Sequence, residues 1–249
     1  MGEIIIEAVR NQLDGRPAEE VVRWAADTFG KRVAVASSFG AEDVVLVDML
    51  ARVSPSPRVF AIDTGRLHEA TYEAMERIRE RYRLTIDVYC PNHDAVEALE
   101  REHGFYSYRK TLEARHACCN IRKVEPLRRA LSGLDAWITG LRREQSVTRA
   151  EVALLERNEG HGGILKINPL ADWTTEQVWD YIRQHNVPYN RLHDEGYPSI
   201  GCEPCTRAVA PGEHPRAGRW WWEAPEHKEC GLHTRQREPG LRALMGLLT

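Results

Sequence analysis

The chain has 249 residues, enough for one large α/β domain or two small ones around a buried core. Hydrophobic residues make up 42% and charged residues 29%, as is typical of globular proteins, and no apolar run approaches the roughly 18 residues that a membrane span needs. The formal net charge of −3 argues against general nucleic-acid binding, so we expect neither a nucleic-acid nor a membrane partner.

Short β-rich runs alternate with helical patterns through the first two-thirds of the chain. The predicted strands are, in order, 32–38, 58–63, 84–90, 136–141 and 163–170. The predicted helices between them are 41–53, 67–82, 94–103 and a segment that ends near Leu131. This alternation implies right-handed crossovers, so the sequence predicts an α/β fold with a doubly wound, mostly parallel sheet.

Two polar turns follow the first two predicted strands, "SSFGAED" at 37–43 and "DTGRLH" at 63–68. Their candidate site residues are Ser37, Ser38, Phe39, Gly40, Asp43, Asp63, Thr64, Gly65 and Arg66. Ligands bind at the carboxyl ends of such strands, where backbone N–H groups can hold an anion, so the turns predict a nucleotide site. The first turn is neither a Walker A nor a G-x-G-x-x-G loop. An ordinary strand–helix turn capped by Ser38 is the alternative.

A basic segment, "TGLRREQSVTR" at 139–149, follows the fourth predicted strand. Its arginines, Arg142, Arg143 and Arg149, could clamp a phosphate or sulfate through paired hydrogen bonds. Each of them could instead be a solvated surface arginine. Gly140 belongs to the same turn and is included in the candidate site.

The composition changes after about residue 190. The remaining sequence is rich in Gly, Pro, His, Trp and Cys and has no helical period. We therefore predict an α/β nucleotide-binding domain at 1–190 and a C-terminal segment at 191–249, a Cys/Trp-rich tail held by local anchors rather than a second packed domain. The three tryptophans at 220–222 are the simplest anchors.

Six cysteines favour metal binding or redox catalysis over a disulfide scaffold. Cys118 and Cys119 are adjacent, near the predicted start of the helix that ends near 131, and neighbours reach disulfide geometry only with distortion. "GCEPCTR" adds Cys202 and Cys205, and four thiolates suit zinc or an iron–sulfur cluster. Adjacent ligands match a cubane better than zinc, and unrelated core or redox cysteines are the third interpretation. Lys123, one helical turn beyond the pair, is expected beside such a cluster.

Cys230 lies in "HKECGLH", where neighbouring cations favour the reactive thiolate and Glu229 opposes it. Gly231 makes the backbone permissive, so this segment could swing over a bound ligand. A fifth metal-type or merely free thiol is the alternative. Cys90 ends an apolar strand and is predicted to be a core residue.

Seven motifs occur in one order over residues 37–233: "SSFGAEDVVL", "DTGRLH", "CCNIRKVEPL", "TGLRREQSVTR", "GCEPCTR", "GRWWW" and "KECGLH". Together they resemble the assimilatory adenylylsulfate reductases, relatives of the phosphoadenylylsulfate reductases. The resemblance implies an adenine-nucleotide α-hydrolase-like fold. It also implies thioredoxin-dependent reduction of adenylylsulfate to sulfite and AMP, in sulfate assimilation and cysteine biosynthesis.

The resemblance further implies that Cys118, Cys119, Cys202 and Cys205 hold a 4Fe-4S cluster that passes no electrons and positions Lys123 and the substrate's sulfate. Cys230 would attack the sulfur of adenylylsulfate, expel AMP and carry an S-sulfonate, which thioredoxin or a glutaredoxin-like reductant then reduces. The implied substrate-binding residues are those of the two turns together with Lys123, Gly140, Arg149, Arg216, Arg219 and His233.

Two other enzymatic functions and one non-enzymatic function are considered. In this family the four-cysteine set accompanies use of adenylylsulfate, and an acidic turn is a poor place for an extra phosphate. A reductase that uses the 3′-phosphorylated substrate, or that uses both substrates, is the alternative. "SFGAED" departs from the Ser-Gly-Gly-x-Asp-Ser loop of related ATP pyrophosphatases. This difference weakens the interpretation of the chain as an ATP-dependent adenylating enzyme. A zinc-stabilised interaction module would leave the turns and Cys230 without a function.

The amino terminus, "MGEIIIEAVR", has acidic residues where a signal peptide would be basic. We therefore expect a cytoplasmic protein. The sequence does not decide between a monomer and a homo-oligomer.

Overall fold

A computed structural model describes residues 6–233. Its strands are β1 (Val33–Ala36), β2 (Val59–Ile62), β3 (Ile86–Tyr89), β4 (Ala136–Ile138), β5 (Leu155–Asn158) and β6 (Ile164–Ile167). They form one sheet in the order β3-β2-β1-β4-β6-β5. Every neighbouring pair is parallel except β5 and β6, which are antiparallel. The predicted mostly parallel sheet is confirmed.

The α-helices are α1 (Ile6–Leu13), α2 (Ala18–Phe29), α3 (Ala41–Val53), α4 (Glu69–Tyr82), α5 (His93–His103), α6 (Leu112–Cys119), α7 (Glu125–Leu131) and α8 (Thr175–His185). Helix α3 has the bounds predicted from its apolar face. Residues Asn120–Val124 form one π-helical turn, which joins α6 to α7 without a break. The cysteine pair therefore ends α6 and does not start the following helix, which corrects the prediction.

The sequence analysis missed strand β5. Its four residues, "LERN", include two charged side chains, and only Leu155 and Asn158 are buried. An edge strand pairs on one side only and does not need a continuous apolar run, so hydrophobic periodicity cannot detect it.

Helices cover both faces of the sheet, because successive strand residues point to opposite sides. Val33 and Val35 of β1 pack in the larger core with α2, α3, α4 and α8. Ala34 faces the other side, where it meets Trp137 of β4 and Leu127 of α7. This is the doubly wound arrangement that the strand–helix alternation predicts.

A buried carboxylate joins three helices of the larger core. Asp48 of α3 accepts hydrogen bonds from the hydroxyls of Tyr82 on α4 and Tyr181 on α8, each at 2.7 Å. Arg52 donates to the same carboxylate at 2.6 Å. The charge of Asp48 is thus satisfied, as a buried acid requires.

Within the described part of the C-terminal segment, residues 191–233 form short 3-10 turns and one antiparallel bridge, between Thr206 and Arg219. Trp220 is 1% exposed and packs among the cysteines, which confirms it as an anchor, whereas Trp221 is 40% exposed and does not serve as one. The division of the chain near 190 stays a prediction. No helix within residues 6–233 has the length and apolar character to cross a membrane.

Candidate active site

A cavity of about 760 Å³ opens at the carboxyl ends of β1, β2 and β4, within the usual size range of small-molecule sites. Parallel strands end at one edge of the sheet, which brings their turns together. The sequence-predicted residues that line the cavity are Ser37, Ser38, Gly40, Asp43, Thr64, Lys123, Gly140, Arg142, Arg149, Cys202, Arg216, Arg219, Cys230 and His233.

The turn after β1 is built around Asp43. Its carboxylate accepts hydrogen bonds from the backbone N–H of Ser38 at 2.6 Å and from the Ser38 hydroxyl at 2.7 Å. Burial raises the pKa of Asp43 to about 6, against the opposing effect of those two bonds. Phe39 differs from its neighbours in the turn, because its side chain is fully buried in the larger core and does not line the cavity.

Gly140, in the turn after β4, lies directly against the Asp43 turn. A Cβ at this position would meet Asp43 Oδ1 at 2.5 Å and Glu42 Cβ at 2.8 Å. Such distances are too short for a carbon atom, so only glycine lets the two turns approach this closely. The two turns therefore share one wall of the cavity.

The arginines that follow Gly140 differ in their surroundings. Arg142 is buried and donates to Glu42 and Glu144, each at 2.8 Å. Arg143 pairs with Asp172 and donates to the carbonyl of Val152. The guanidiniums of Arg142 and Arg143 therefore already donate to acceptors within the protein.

Side chains from the turn after β2 line two different cavities. Asp63 accepts from the backbone N–H of Gly65 at 2.8 Å and from Tyr72 at 2.9 Å, which holds the turn in shape. Arg66 donates to Glu100 at 2.8 Å and lines a second, smaller cavity rather than the larger one. Thr64 lines the larger cavity.

The smaller cavity is lined by all four cysteines that the sequence predicts as metal ligands: Cys118, Cys119, Cys202 and Cys205. They come from the end of α6 and from the turn Glu203–Cys205 with its flanking residue. Four soft sulfur donors around one cavity suit zinc or an iron–sulfur cluster. Among residues 6–233, no group of three His, Cys, Asp or Glu side chains is spaced to hold a metal ion.

Cations surround the smaller cavity, with Arg66, Arg115, Arg122 and Lys123 in its walls. Burial lowers the pKa of Lys123, but the nearby sulfurs, that of Cys202 first, raise it more, so the net pKa lies above its usual value. Lys123 is therefore a buried ammonium. Its Nζ lies 5.8 Å from the centre of the Trp220 ring.

The same burial raises the pKa of the Cys118, Cys119 and Cys205 thiols. For Cys202 the effect of burial is outweighed by Lys123 and by the Thr64 hydroxyl, so its pKa is lowered. Buried thiolates need a positive charge nearby, so the four sulfurs can ionise together only with help from cations.

Glu229 connects Cys230 to two predicted substrate-binding arginines. Its carboxylate lies 3.0 Å from Arg149 and 3.4 Å from Arg216. Burial raises the pKa of Glu229, but these two guanidiniums lower it by more, so its net pKa is below the usual value and the carboxylate is ionised. Arg216 also donates to the carbonyl of Lys228 at 2.5 Å. Both arginines therefore hold the segment just before Cys230.

His233 lines the larger cavity as predicted, whereas Cys90 does not lie where the sequence predicts. His233 stacks on Trp137 with ring centres 5.7 Å apart, and burial lowers its pKa well below the ordinary value, so the imidazole is neutral. Cys90 is exposed rather than buried in the core, so that prediction is wrong. Cys90 comes just after the end of β3, an edge strand, where the sheet provides no cover.

The sequence analysis missed Arg115 and Glu223. Arg115 is fully buried, and its Nε donates to Glu223 Oε1 at 2.8 Å. The available signal was the position of Arg115, three residues before Cys118 and therefore one helical turn away. Its partner lies 108 residues further along the chain, a separation that no local pattern reveals.

Comparison with known proteins identifies the family. The family profile described as "Phosphoadenosine phosphosulfate reductase domain" matches residues 32–208. The chain belongs to the phosphoadenosine phosphosulfate reductase family. The matched region contains both polar turns, all four cysteines of the smaller cavity and Lys123, but it ends before Cys230.

Named members of this family are similar over most of their length. The "Adenosine 5'-phosphosulfate reductase" of Allochromatium vinosum is 52% identical over 207 residues, covering 83% of this chain and 80% of that protein. The protein of the same name from Pseudomonas aeruginosa is 46% identical over 233 residues, with 92% and 86% covered.

A solved structure gives the same fold. The phosphoadenylyl-sulfate (PAPS) reductase from Candida auris, in a phosphate complex, superposes with a TM-score of 0.71 at 30% identity. The match covers 84% of this chain and 98% of that chain. The α/β fold expected of this reductase family is therefore confirmed.

Proposed function

We propose that this chain is an adenylylsulfate reductase that forms sulfite and AMP. The relatives named above support the substrate and the reaction. The observation that carries the proposal is that Cys230 lines the same cavity as the two polar turns and Lys123. A nucleophilic sulfur and a nucleotide-sized site therefore share one space.

The first step is attack by the Cys230 thiolate on the sulfur of adenylylsulfate. A bond forms between the two sulfurs, the bond from sulfur to the phosphate oxygen breaks, and AMP leaves with the electron pair. Ser37, Ser38 and Thr64 would bind the nucleotide at the carboxyl ends of the strands. The product on the enzyme is a Cys230 S-sulfonate.

Lys123 and Arg219 would receive the sulfonate oxygens. The Lys123 ammonium is buried in the wall of the larger cavity. Arg219 Nε is buried without a hydrogen-bond partner within residues 6–233. A buried ammonium and an unpaired buried N–H favour an anion, and charge-assisted bonds of this kind are stronger than neutral ones. Arg149 and Arg216 would join them if Glu229 moves.

Cys118, Cys119, Cys202 and Cys205 would hold a 4Fe-4S cluster. The donor set fits, because four sulfurs and a shell of cations meet at one small cavity. A cubane does not need three ligands around a single point, because its own iron and sulfide atoms separate them. When bound, the cluster would supply a local field beside Lys123. The reaction described here passes no electron through it.

The second step needs a dithiol reductant, for which we propose thioredoxin or a glutaredoxin-like protein. Its thiolate attacks the Sγ of Cys230, and sulfite leaves with the electron pair. The second thiol of the reductant then resolves the mixed disulfide and restores Cys230. Location in the cytoplasm stays a prediction.

Adenylylsulfate is proposed as the substrate over its 3′-phosphorylated analogue. Arg142 lies beside the first turn, but Glu42 and Glu144 already bind it. An additional phosphate there would face carboxylates without a free cation to balance it. The name of the Candida auris relative keeps the phosphorylated substrate as the comparison to test.

The deciding experiment is covalent trapping without a reductant. Protein purified anaerobically and mixed with adenylylsulfate should gain about 80 Da, the mass of one SO₃ group, on the peptide that holds Cys230. Reduced thioredoxin should remove this mass and release sulfite. The Cys230→Ser variant should bind AMP normally and gain no mass. An adduct on Cys90, or full turnover by Cys230→Ser, would overturn the mechanism.

The same preparation tests the metal and the substrate. It should be brown and contain iron and acid-labile sulfide at about four atoms each per chain. Colourless protein with one zinc ion would contradict the cluster. The 3′-phosphorylated analogue should give a clearly lower kcat/KM, and equal values would contradict the proposed preference.

A further inference from the structure

Within residues 6–233, the hydrogen bonds that the Arg115 side chain donates all go to the C-terminal segment. It is fully buried on α6, and its Nε, Nη1 and Nη2 atoms all donate hydrogen bonds. Nε bonds Glu223 Oε1 at 2.8 Å. Nη1 bonds the carbonyl oxygen of Glu229 at 2.6 Å, and Nη2 bonds that of His227 at 2.7 Å. The guanidinium carbon lies 4.7 Å from the centre of the Trp220 ring.

These bonds fix the chain immediately before Cys230. A guanidinium presents its N–H donors in one rigid plane, so three acceptors on three nitrogens define both position and direction. Two of the acceptors are backbone carbonyls, which do not depend on side-chain rotamers. The third, Glu223, also balances the buried charge.

Arg115 is also tied to the cysteine pair. It precedes Cys118 by three residues and Cys119 by four, the spacings that share one face of a helix. It lines the smaller cavity together with those cysteines and is absent from the wall of the larger one. Arg115 is thus placed to influence Cys230 without touching a bound nucleotide.

We propose that Arg115 is a positioning residue for Cys230. It holds segment 227–229 against α6 and so aims the nucleophilic sulfur into the larger cavity. The reaction that this serves rests on the proposed function, whereas the anchoring of the segment does not.

Arg115→Lys is the informative substitution, because it keeps the charge and removes the planar fork. A misplacement of about 1 Å can slow a reaction about 100-fold. We therefore expect Cys230 S-sulfonation in a single turnover to slow by one to two orders of magnitude. The Kd for AMP and the visible absorption of the cluster should stay close to the wild-type values. A general loss of structure would change all three.

Cysteine labelling tests the anchoring independently of catalysis. The four cluster cysteines are protected by metal, so a maleimide should react with Cys230 and with the exposed Cys90, which serves as the internal reference. In Arg115→Lys the labelling of Cys230 relative to Cys90 should rise about tenfold, because local opening becomes easier. The matched control is Arg101→Lys on α5, whose side chain is 77% exposed; it should leave the ratio unchanged.

Glu223→Ala provides a second route, since it removes one acceptor from the C-terminal side and leaves α6 intact. It should raise the labelling ratio and slow S-sulfonation in the same direction as Arg115→Lys, by a smaller factor. Glu223→Ala tests the anchoring of segment 227–229 if Arg115→Lys fails to fold or loses the visible absorption of the cluster. Wild-type labelling and S-sulfonation in whichever variant folds would overturn the proposal. Wild-type protein that forms no S-sulfonate would refute the proposed function, and the labelling ratio would still test the anchoring.

Discussion

The hydroxyl of Thr64 lies 3.2 Å from the sulfur of Cys202, and this contact joins the turn after β2 to the cavity of the four cysteines. Thr64 Oγ1 also accepts a hydrogen bond from the backbone N–H of Arg66 at 3.2 Å. The hydroxyl proton is therefore free to point at the sulfur. One residue thus belongs to the predicted nucleotide site and also contacts a predicted metal ligand.

Thr64→Val should lower the reduction potential of the proposed cluster. Hydrogen bonds to ligand sulfur stabilise the more negative, reduced state, so losing one should shift the potential downward by an amount on the order of tens of mV. A reductive titration followed by visible absorption measures this. Thr206→Val is the matched control, because its hydroxyl bonds the carbonyl of Cys202 instead of the sulfur. An equal shift in both variants would contradict the assignment.

Glu229→Gln should strengthen substrate binding and slow turnover. The carboxylate now neutralises Arg149 and Arg216, and an uncharged amide would leave them available to the anionic substrate. We expect the Kd for adenylylsulfate to fall about tenfold, which corresponds to about 1.4 kcal/mol. The rate of S-sulfonation should fall, because Cys230 loses part of its support. Isothermal titration with Cys230→Ser as the background separates binding from reaction.

The binding gain in Glu229→Gln should not depend on pH near neutrality. The lowered pKa of Glu229 means that its ion pairs are complete above the ordinary glutamate pKa and are lost only as the pH falls through the lowered value. The exposed Glu226 gives a control, since Glu226→Gln removes the same charge from the same segment without a cavity contact. Tighter binding in both variants would indicate a general charge effect and contradict the specific one.

Gly140→Ala should weaken nucleotide binding and leave the proposed cluster unchanged. The new methyl group would overlap Asp43 and Glu42, forcing apart the turns after β1 and β4. Overpacking of this kind costs about 1–3 kcal/mol, so the Kd for AMP should rise at least about tenfold. Visible absorption per iron should stay unchanged. Wild-type affinity for AMP would show that the turns do not form the nucleotide site.

Asp48→Asn should destabilise the fold without changing the site. The carboxylate accepts from Tyr82, Tyr181 and Arg52, and an amide cannot satisfy all three donors. A loss of about 2 kcal/mol lowers the Tm of a domain of this size by about 4–8 °C. Differential scanning fluorimetry measures the shift, and the AMP affinity at 25 °C is the control. An unchanged Tm would mean that the link between the three helices contributes little.

Much of the fold was predictable because its signals are local. The 3.6-residue period predicted α3 over 41–53, and alternation of strands and helices predicted a mostly parallel sheet. Strand β5 escaped, since a short edge strand with two charged residues has no apolar run. Cys90 was wrongly predicted to be in the core, because the apolar pattern of a strand does not show whether that strand lies at the edge of the sheet.

The candidate site was predictable as a set of residues and unpredictable as an arrangement. Residue types and motif order identified the two polar turns, the four cysteines and Cys230, since each depends on chemistry carried by neighbours in the chain. The pairing of Glu229 with Arg149 and the three bonds of Arg115 join segments about 80 to 114 residues apart. Residue types and motifs therefore predict which groups could form the site. Which of these groups neutralise one another, and which face the cavity, depends on the folded arrangement, because buried charges pair with groups that are close in space.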